Sequence, residues 1–169
     1  MKERLCSAGL KTHFPEPPKR YPLKSSLNAE ATAEILEAID AFQTAWNEKN
    51  LERFLHLFTE DAAFTDVVGQ TAVGKKGIRE QHEFAFGVVM KNASLEISNL
   101  LILEIAQGIA MATANWINRN SQTPDGRPLP ERNGVIQFIL LKTNQGWRFK
   151  IVHNADFALP YQKQERTIR

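Results

Sequence analysis

The spacing of hydrophobic residues in this chain changes from a helical to a strand-like period near residue 90. Before that point apolar residues recur every three or four positions, which is typical of amphipathic helices. The clearest run is Ile35, Ile39, Phe42 and Trp46. From residue 94 onwards apolar and polar residues alternate, which indicates strands with one buried face. Helices followed by a long antiparallel meander predict an α+β domain whose helices pack on one face of a sheet.

Three helices are predicted in the first half of the domain. Asn28 is a suitable N-cap for the first helix, and Asn50 is its expected end. A short second helix is expected directly afterwards, and a third is expected to begin near Lys75. A strand over residues 62–68 and a turn over residues 69–74 separate the second helix from the third.

Four strands are predicted in the second half of the domain. They cover residues 95–105, 109–118, 135–142 and 147–156. The connection over residues 120–131 contains three prolines and an Asp-Gly pair, which favour turns. Consecutive hairpins of this kind predict a mainly antiparallel sheet.

The two ends of the chain differ from its central part. Residues 1–28 carry four prolines, six basic and two acidic side chains, so we expect a tail that is either disordered or draped over the domain. The folded domain is assigned to residues 29–160, and residues 161–169 form a polar C-terminal end. Outside the tail the chain carries 15 basic and 17 acidic side chains, so the net charge of +2 does not indicate a nucleic-acid-binding surface.

The sequence contains one cysteine, Cys6, and no long apolar segment. A single cysteine excludes an internal disulfide framework and fits a reducing compartment. No apolar stretch has the length of a membrane span, and none near Cys6 has the pattern of a signal peptide. We therefore expect a cytoplasmic protein without a membrane partner.

A series of short motifs runs in a fixed order through residues 33–156. These are Glu60-Asp61-Ala62-Ala63-Phe64, Val67-Val68-Gly69, Gly74, Ile78-Arg79, His82, Ser94-Leu95, Trp116, Arg132, Gly134, Gly146-Trp147-Arg148 and Asn154, together with the polar connection 124–130. Their ordered combination resembles the SgcJ/EcaC family, in the SnoaL-like branch of the nuclear transport factor 2-like superfamily. The resemblance implies a cone-shaped α+β fold, in which three N-terminal helices pack on a strongly bent, mainly antiparallel sheet. A mostly apolar pocket is expected at the open end of the cone. The resemblance also implies homodimers that form through the sheet face.

Function varies widely within this fold, which hosts isomerases, cyclases, dehydratases, ligand-binding proteins and association modules. The resemblance implies a small, largely apolar ligand, and it leaves open cofactor-free acid/base catalysis, non-catalytic binding and dimerisation alone. No Gly-x-Gly-x-x-Gly turn or other redox-cofactor motif is present, so no cofactor is expected. His56, His82 and His153 lack the spacing of paired metal ligands, so no metal is expected either.

Asp66 is the carboxylate best suited to chemistry. It lies in the segment Phe64-Thr65-Asp66-Val67-Val68-Gly69, which is similar to the segment that carries the catalytic base of ketosteroid isomerases. A carboxylate beside apolar walls loses solvation and becomes a better proton acceptor near neutral pH. The alternative is that Asp66 accepts hydrogen bonds from nearby backbone N–H groups and stabilises a turn. We expect both Phe64 and Asp66 to line the pocket.

His82, Phe86 and Trp116 are further candidates for the pocket wall. His82 and Phe86 share one face of the third predicted helix, so both are expected to point inwards. Trp116 follows alternating alanines, and its indole N–H can bond a ligand in the space that small residues leave. For His82 and Trp116 a plain core role is the alternative. In the catalytic hypothesis Asp66 is the base, and His82 with Trp116 or Asn154 holds the oxyanion.

The last candidates lie on the two final strands. Strict alternation places His153 on the face of Phe149, and it places Asn154 and Asp156 on the opposite face. The family resemblance favours Asn154 as a pocket residue, and alternation then takes Asp156 with it. For His153 the alternative is a position at the rim or in a dimer interface. Asn133 is expected either to place its amide in the pocket or to lie at a loop edge.

Overall fold

The computed structural model describes residues 23–157. Residues 1–22 and 158–169 lie outside this description, and with them Cys6, most of the expected tail and the C-terminal end assigned to residues 161–169. None of the helices between residues 23 and 157 is long and apolar enough to span a membrane.

Three α-helices precede the long strands, in agreement with the sequence pattern. They are α1 (Ala29–Asn47), α2 (Leu51–His56) and α3 (Gly74–Phe84), and a π-helical turn (Ala85–Val89) continues α3. Asn28 caps α1, since its side chain accepts a hydrogen bond from the backbone N–H of Ala31 at 2.8 Å. The sequence pattern predicts that α1 ends at Asn50, but the helix ends three residues earlier, at Asn47. The side chain of Asn50 accepts a hydrogen bond from the backbone N–H of Arg53 and caps α2 instead.

Seven strands form one curled sheet in the part of the chain that the structure describes. They are β1 (Lys24–Ser25), β2 (Phe58–Thr65), β3 (Thr71–Val73), β4 (Ser94–Ala106), β5 (Ile109–Arg119), β6 (Arg132–Thr143) and β7 (Gly146–Asp156). The order in the sheet is β1-β4-β5-β6-β7-β2-β3. Strands β1 and β4 are parallel, as are β2 and β7, and all other neighbours are antiparallel. The predicted α+β class with a mainly antiparallel sheet is confirmed.

Two very short strands lie where the sequence indicates none. Strand β3 occupies part of the predicted turn and pairs with β2, which ends at Thr65. Strand β1 lies at the end of the expected tail and pairs with Leu101 and Ile102 of β4. Strands of two or three residues are too short to show an alternating pattern, so the sequence does not reveal them.

One half of the interior is filled by five phenylalanine rings, which we call the aromatic core. Phe42 of α1 contacts Phe54 of α2, Phe138 of β6 and Phe149 of β7, with ring centroids 5.0, 5.3 and 5.4 Å apart. Phe58 at the start of β2 completes the group, and each of the five residues is at most 2% exposed. Tilted and edge-on contacts of this kind add to the stabilisation from apolar burial.

A β-bulge interrupts strand β7. The register pairs Leu140 of β6 with Phe149, but it pairs the adjacent Ile139 with Ile151, so Lys150 is an extra residue in β7. Because side chains alternate between faces along a strand, the alternation changes phase at Lys150.

This change of phase decides which residues at the end of β7 face the interior. Phe149 before the bulge and Val152 after it are both buried, although their numbers differ in parity. Asn154 therefore faces the interior, whereas His153 lies on the exposed outer face. The prediction that His153 shares a face with Phe149 is wrong, because the sequence pattern does not reveal the extra residue.

Candidate functional site

A cavity of about 410 Å³ lies beside the aromatic core, between α1, α3, the π-helical turn and the inner face of the sheet. Its wall is mostly apolar and includes Phe42, Trp46, Phe64, Phe86, Ile97 and Trp116. Its polar side chains are Asp66, Gln70, Gln81, His82, Asn118, Arg132 and Asn154. This volume and this mixture of an apolar wall with a few polar groups are typical of sites for small organic ligands.

Asp66 directly follows β2 and stabilises the turn to β3. Its Oδ1 atom accepts hydrogen bonds from the backbone N–H groups of Val68 at 3.0 Å and Gln70 at 2.9 Å. Its own backbone N–H donates to the carbonyl oxygen of Gln70 at 2.9 Å. The turn-stabilising role considered from the sequence is therefore present, and these bonds fix the carboxylate at the cavity wall.

Gln81 of α3 holds the same turn from the helix side. Its Nε2 atom donates to the carbonyl oxygen of Gln70 at 3.1 Å and lies 3.4 Å from Oδ2 of Asp66. Both of these partners accept hydrogen bonds, so the NH₂ group of Gln81 must face the turn. Its Oε1 atom is buried and has no hydrogen-bond partner among residues 23–157.

His82 lies one residue further along α3 and is surrounded by aromatic rings. Its ring centroid is 4.7 Å from those of Phe54 and Phe64 and 5.4 Å from that of Phe86, and the residue is 5% exposed. Burial lowers the pKa of His82 to about 4, against the smaller opposing effects of a backbone hydrogen bond and a nearby carboxylate. The imidazole is therefore neutral at pH 7.

The hydrogen bond of His82 shows which ring nitrogen carries the proton. Nδ1 lies 2.9 Å from the carbonyl oxygen of Ile78, which only accepts, so the proton is on Nδ1. Nε2 then has a lone pair and accepts hydrogen bonds. A neutral His82 in this form offers the cavity an acceptor, whereas holding an oxyanion requires a donor.

Trp116 of β5 forms a wall of the cavity, and its position depends on a glycine. The register of the sheet pairs Trp116 with Gly134 of β6. A Cβ atom at position 134 would lie 2.5 Å from Cζ2 of Trp116 and 2.0 Å from the carbonyl oxygen of Ala155, so the indole packs where only glycine leaves room. The indole Nε1 is buried and lacks a hydrogen-bond partner within the described part of the chain.

Asn118 and Asn154 bring two more polar groups to the wall. Nδ2 of Asn118 donates to the carbonyl oxygen of Ser94 at 3.3 Å, and the residue is 4% exposed. The Oδ1 atoms of Asn118 and Asn154 are both buried without a partner in the region that the structure describes. Asn118 is not among the sequence candidates, although the alternation that points to Trp116 extends to it along β5.

Six of the nine sequence candidates lie on the cavity wall and three do not. Those on the wall are Phe64, Asp66, His82, Phe86, Trp116 and Asn154. Asn133 and His153 are exposed on the outer face of the sheet, so neither places its side chain in the cavity. Asp156 is also exposed and forms an ion pair with Arg132, at 2.6 Å from its Nη2 to Oδ2 of Asp156. Asp156 therefore acts on the cavity through Arg132, which does line it.

The wall also contains Gln81 and Arg132, which sequence reasoning did not select. Gln81 precedes His82 on α3, but a polar residue at the margin of a helical face is read as solvent-exposed. Arg132 belongs to the motif series that resembles the SgcJ/EcaC family, so that signal was present. No group of three or more His, Cys, Asp and Glu residues suited to a metal ion occurs between residues 23 and 157.

Comparison with profiles of protein families identifies a known domain in this chain. A profile of the SnoaL-like domain matches residues 39–153. No curated protein sequence matches the chain. The profile begins within α1 and ends three residues before the end of β7, so it covers the cavity-lining residues except Asn154.

Solved structures share the fold. An uncharacterized protein with a cystatin-like fold from Caulobacter vibrioides is 30% identical, with a TM-score of 0.71 over 78% of this chain and 92% of that one. A nuclear transport factor 2-like superfamily protein from Salmonella enterica is 19% identical, with a TM-score of 0.69 over 83% and 97%. A ketosteroid isomerase-like protein from Erwinia carotovora atroseptica is 19% identical, with a TM-score of 0.65 over 78% and 99%. The last two likenesses concern the fold alone.

Proposed function

Because the chain belongs to the SnoaL-like domain family, with the nuclear transport factor 2-like fold, we propose that it binds a small, largely apolar molecule and acts on it by acid/base chemistry without a cofactor. One observation carries this proposal: a cavity of about 410 Å³ whose aromatic wall bears buried polar atoms without partners in the described residues. A buried polar atom without a hydrogen-bond partner costs free energy. A ligand that supplies the missing partner removes this cost, which stabilises the complex. Relatives with this fold include isomerases and dehydratases.

Asp66 is the base in this proposal. The hydrogen bonds from Val68 and Gln70 orient its carboxylate through Oδ1, and Oδ2 has a long contact of 3.4 Å with Gln81. Oδ2 takes a proton from a carbon next to a carbonyl group of the ligand. The C–H electron pair forms the carbon–carbon double bond of an enolate, whose negative charge lies on the former carbonyl oxygen.

Trp116 is the group that stabilises the enolate oxygen. Its indole N–H is a buried donor without a partner among the described residues, so it is available to that oxygen. His82 takes a different part, since its Nε2 accepts a hydrogen bond from a hydroxyl or amine of the ligand. Return of the proton from Asp66 to a different carbon completes an isomerisation.

Deuterium exchange into 2-tetralone, followed by NMR, tests the assignment of the base. The protein is expected to accelerate exchange of the hydrogens next to the carbonyl. Asp66→Asn should slow this exchange by about 10²–10⁴-fold, because an amide keeps the Oδ1 hydrogen bonds of the turn but accepts no proton. His153→Gln, on the outer face of the sheet, is the matched control and should exchange at the rate of the unmodified protein. Equal exchange by Asp66→Asn, or no acceleration by the unmodified protein, contradicts the proposal.

A second candidate function, association through the sheet, is supported by the outer face. Leu103, Met111, Ile139 and Ile151 are successive cross-strand neighbours and form one apolar row across four strands. Leu103 on β4 and Ile151 on β7 lie at the two ends of this row and are 36% and 44% exposed, so the row is a contiguous apolar surface open to solvent. We propose that two copies pack these rows together as a homodimer.

Sedimentation velocity tests the homodimer. Ile151→Lys places a charge at the most exposed end of the apolar row, and it should shift the protein from dimer to monomer. Val73→Lys, on the exposed edge strand β3, is the matched control and should leave the dimer unchanged. A monomer for the unmodified chain at micromolar concentration would show that the row does not mediate association.

A further inference from the structure

The polar atoms that the cavity wall leaves without partners are mostly acceptors. Gln81, His82 and Asn118 each donate a hydrogen bond to a backbone carbonyl oxygen, at 3.1, 2.9 and 3.3 Å. A carbonyl oxygen only accepts, so these bonds fix the orientation of each side chain. The atoms that remain are Oε1 of Gln81, Nε2 of His82 and Oδ1 of Asn118, and all three accept hydrogen bonds.

The other polar groups of the wall add both acceptors and donors, and acceptors stay in the majority among the buried atoms without partners in the described residues. Asn154 contributes a buried acceptor, Oδ1, without a partner in residues 23–157, and the NH₂ group of the same amide is a donor beside it. Oδ2 of Asp66 adds a carboxylate oxygen with one long contact. Arg132, the cationic side chain of the wall, donates from Nε and Nη2 to Oδ2 of Asp156, which balances its charge and leaves Nη1 as a further donor. Against these acceptors stands the indole N–H of Trp116 as a buried donor that lacks a partner there.

We infer that the natural ligand of this cavity carries hydroxyl or ammonium groups on an apolar body and carries no carboxylate or phosphate. Hydroxyl and ammonium hydrogens satisfy the buried acceptors, and aromatic faces also attract an ammonium group. An anion would instead place negative charge beside Asp66 and lone pairs against the remaining acceptors. This inference rests on the proposed ligand-binding function of the same cavity.

Four naphthalene derivatives with related skeletons test the inference. 2-(1-Naphthyl)ethylamine and 2-(1-naphthyl)ethanol carry donors, whereas 1-naphthylacetate and 1-(1-naphthyl)propan-2-one present only acceptors. Calorimetric titration of the full chain at neutral pH should show at least one donor compound binding about ten-fold tighter than both acceptor compounds. Acceptor compounds that bind as tightly as the donors overturn the inference and leave the proposed function standing. If none of the four compounds binds, both are overturned.

Two variants locate the effect in the wall. Asn118→Leu removes one acceptor at similar volume, so it should weaken the donor compounds about ten-fold and leave the acceptor compounds nearly unchanged. His153→Gln on the outer face should bind all four compounds like the unmodified protein. Because Asn118 also donates to Ser94, its folding is checked by circular dichroism, and Gln81→Met provides a second variant that lacks an acceptor. If the folded variants keep the full preference for donors, the acceptors of the wall do not set it and the inference is wrong.

Discussion

The aromatic core and the cavity lie side by side and use similar residues to different ends. In the core five phenylalanine rings pack mainly against one another, and Phe54 also contacts the ring of His82 at the border with the cavity. Around the cavity Phe64, Phe86 and Trp116 are equally apolar, but they border empty space and stand beside polar atoms without partners in the described chain. Residue type therefore does not separate positions that stabilise the fold from positions that shape a site. The two kinds of position differ in their surroundings, because buried polar atoms without hydrogen-bond partners in the described residues lie on the cavity wall.

Truncating one phenylalanine in each region should give the largest difference between them. Phe138→Ala in the aromatic core is expected to lower the free energy of unfolding by about 3–5 kcal/mol, because it opens a new void among packed rings. Phe86→Ala should cost about 1–2 kcal/mol, since Phe86 already borders a cavity and loses fewer contacts. Urea denaturation measures both values. Equal losses would show that the cavity region is packed as tightly as the core.

The two regions should also differ in their response to pH. The pKa of His82 is about 4 in the folded chain and near 6.5 when unfolded, so between these values the unfolded state binds more protons. The free energy of unfolding therefore keeps the full contribution of His82 above pH 6.5 and loses about 3 kcal/mol of it as the pH is lowered to 4. The aromatic core contains no titratable group.

Denaturation at a series of pH values checks this prediction. His82→Gln should flatten the dependence between pH 6.5 and 4, because the variant has no imidazole to protonate. Phe138→Leu, a core variant, should be less stable overall and keep the slope of the unmodified protein. A His82→Gln variant with an unchanged slope would mean that other groups produce the acid sensitivity.

Two glycine substitutions give the smallest and most local comparison. Gly134→Ala should lower the free energy of unfolding by about 1–3 kcal/mol, because its Cβ meets the indole of Trp116 and the carbonyl of Ala155. Gly87→Ala in the π-helical turn meets no atom within 4 Å, so its effect should stay below about 1 kcal/mol. Thermal melts measure both changes. If Gly134→Ala were neutral, the position of Trp116 would not depend on the glycine.

Much of the fold follows from the sequence, because long elements repeat their pattern many times. Helix α1 and strands β4 to β7 were predicted from spacing alone, each within a few residues of its observed ends. The short strands β1 and β3 were not, since their pairing depends on residues far away in the chain. The finer assignment to the SgcJ/EcaC family and the cytoplasmic location stay predictions.

The site follows from the sequence less completely, for a related physical reason. Phe64, His82 and Trp116 reach the cavity because their elements keep a regular period, and periodicity is visible in the chain. The orientations of the Gln81 and His82 side chains depend on hydrogen bonds to carbonyl oxygens, which no residue pattern encodes. The prediction that His153 shares a face with Phe149 is wrong, because the extra residue Lys150 changes the phase of the alternation between them.

That extra residue gives strand β7 two parts with separate constraints. Before Lys150 the inward residues must fit the aromatic core, so most changes there are removed by selection for stability. After Lys150 the inward Asn154 meets the cavity, where a change alters the ligand at little cost to folding. If the bulge closed with Lys150 kept in the ladder, each later residue of β7 would pair one position further along β6, and His153 would face inwards in place of Asn154. Deletion of Lys150 would instead leave both faces as they are. A lineage with this fold can therefore acquire a new specificity by shifting the register of one strand while every residue of that strand stays the same.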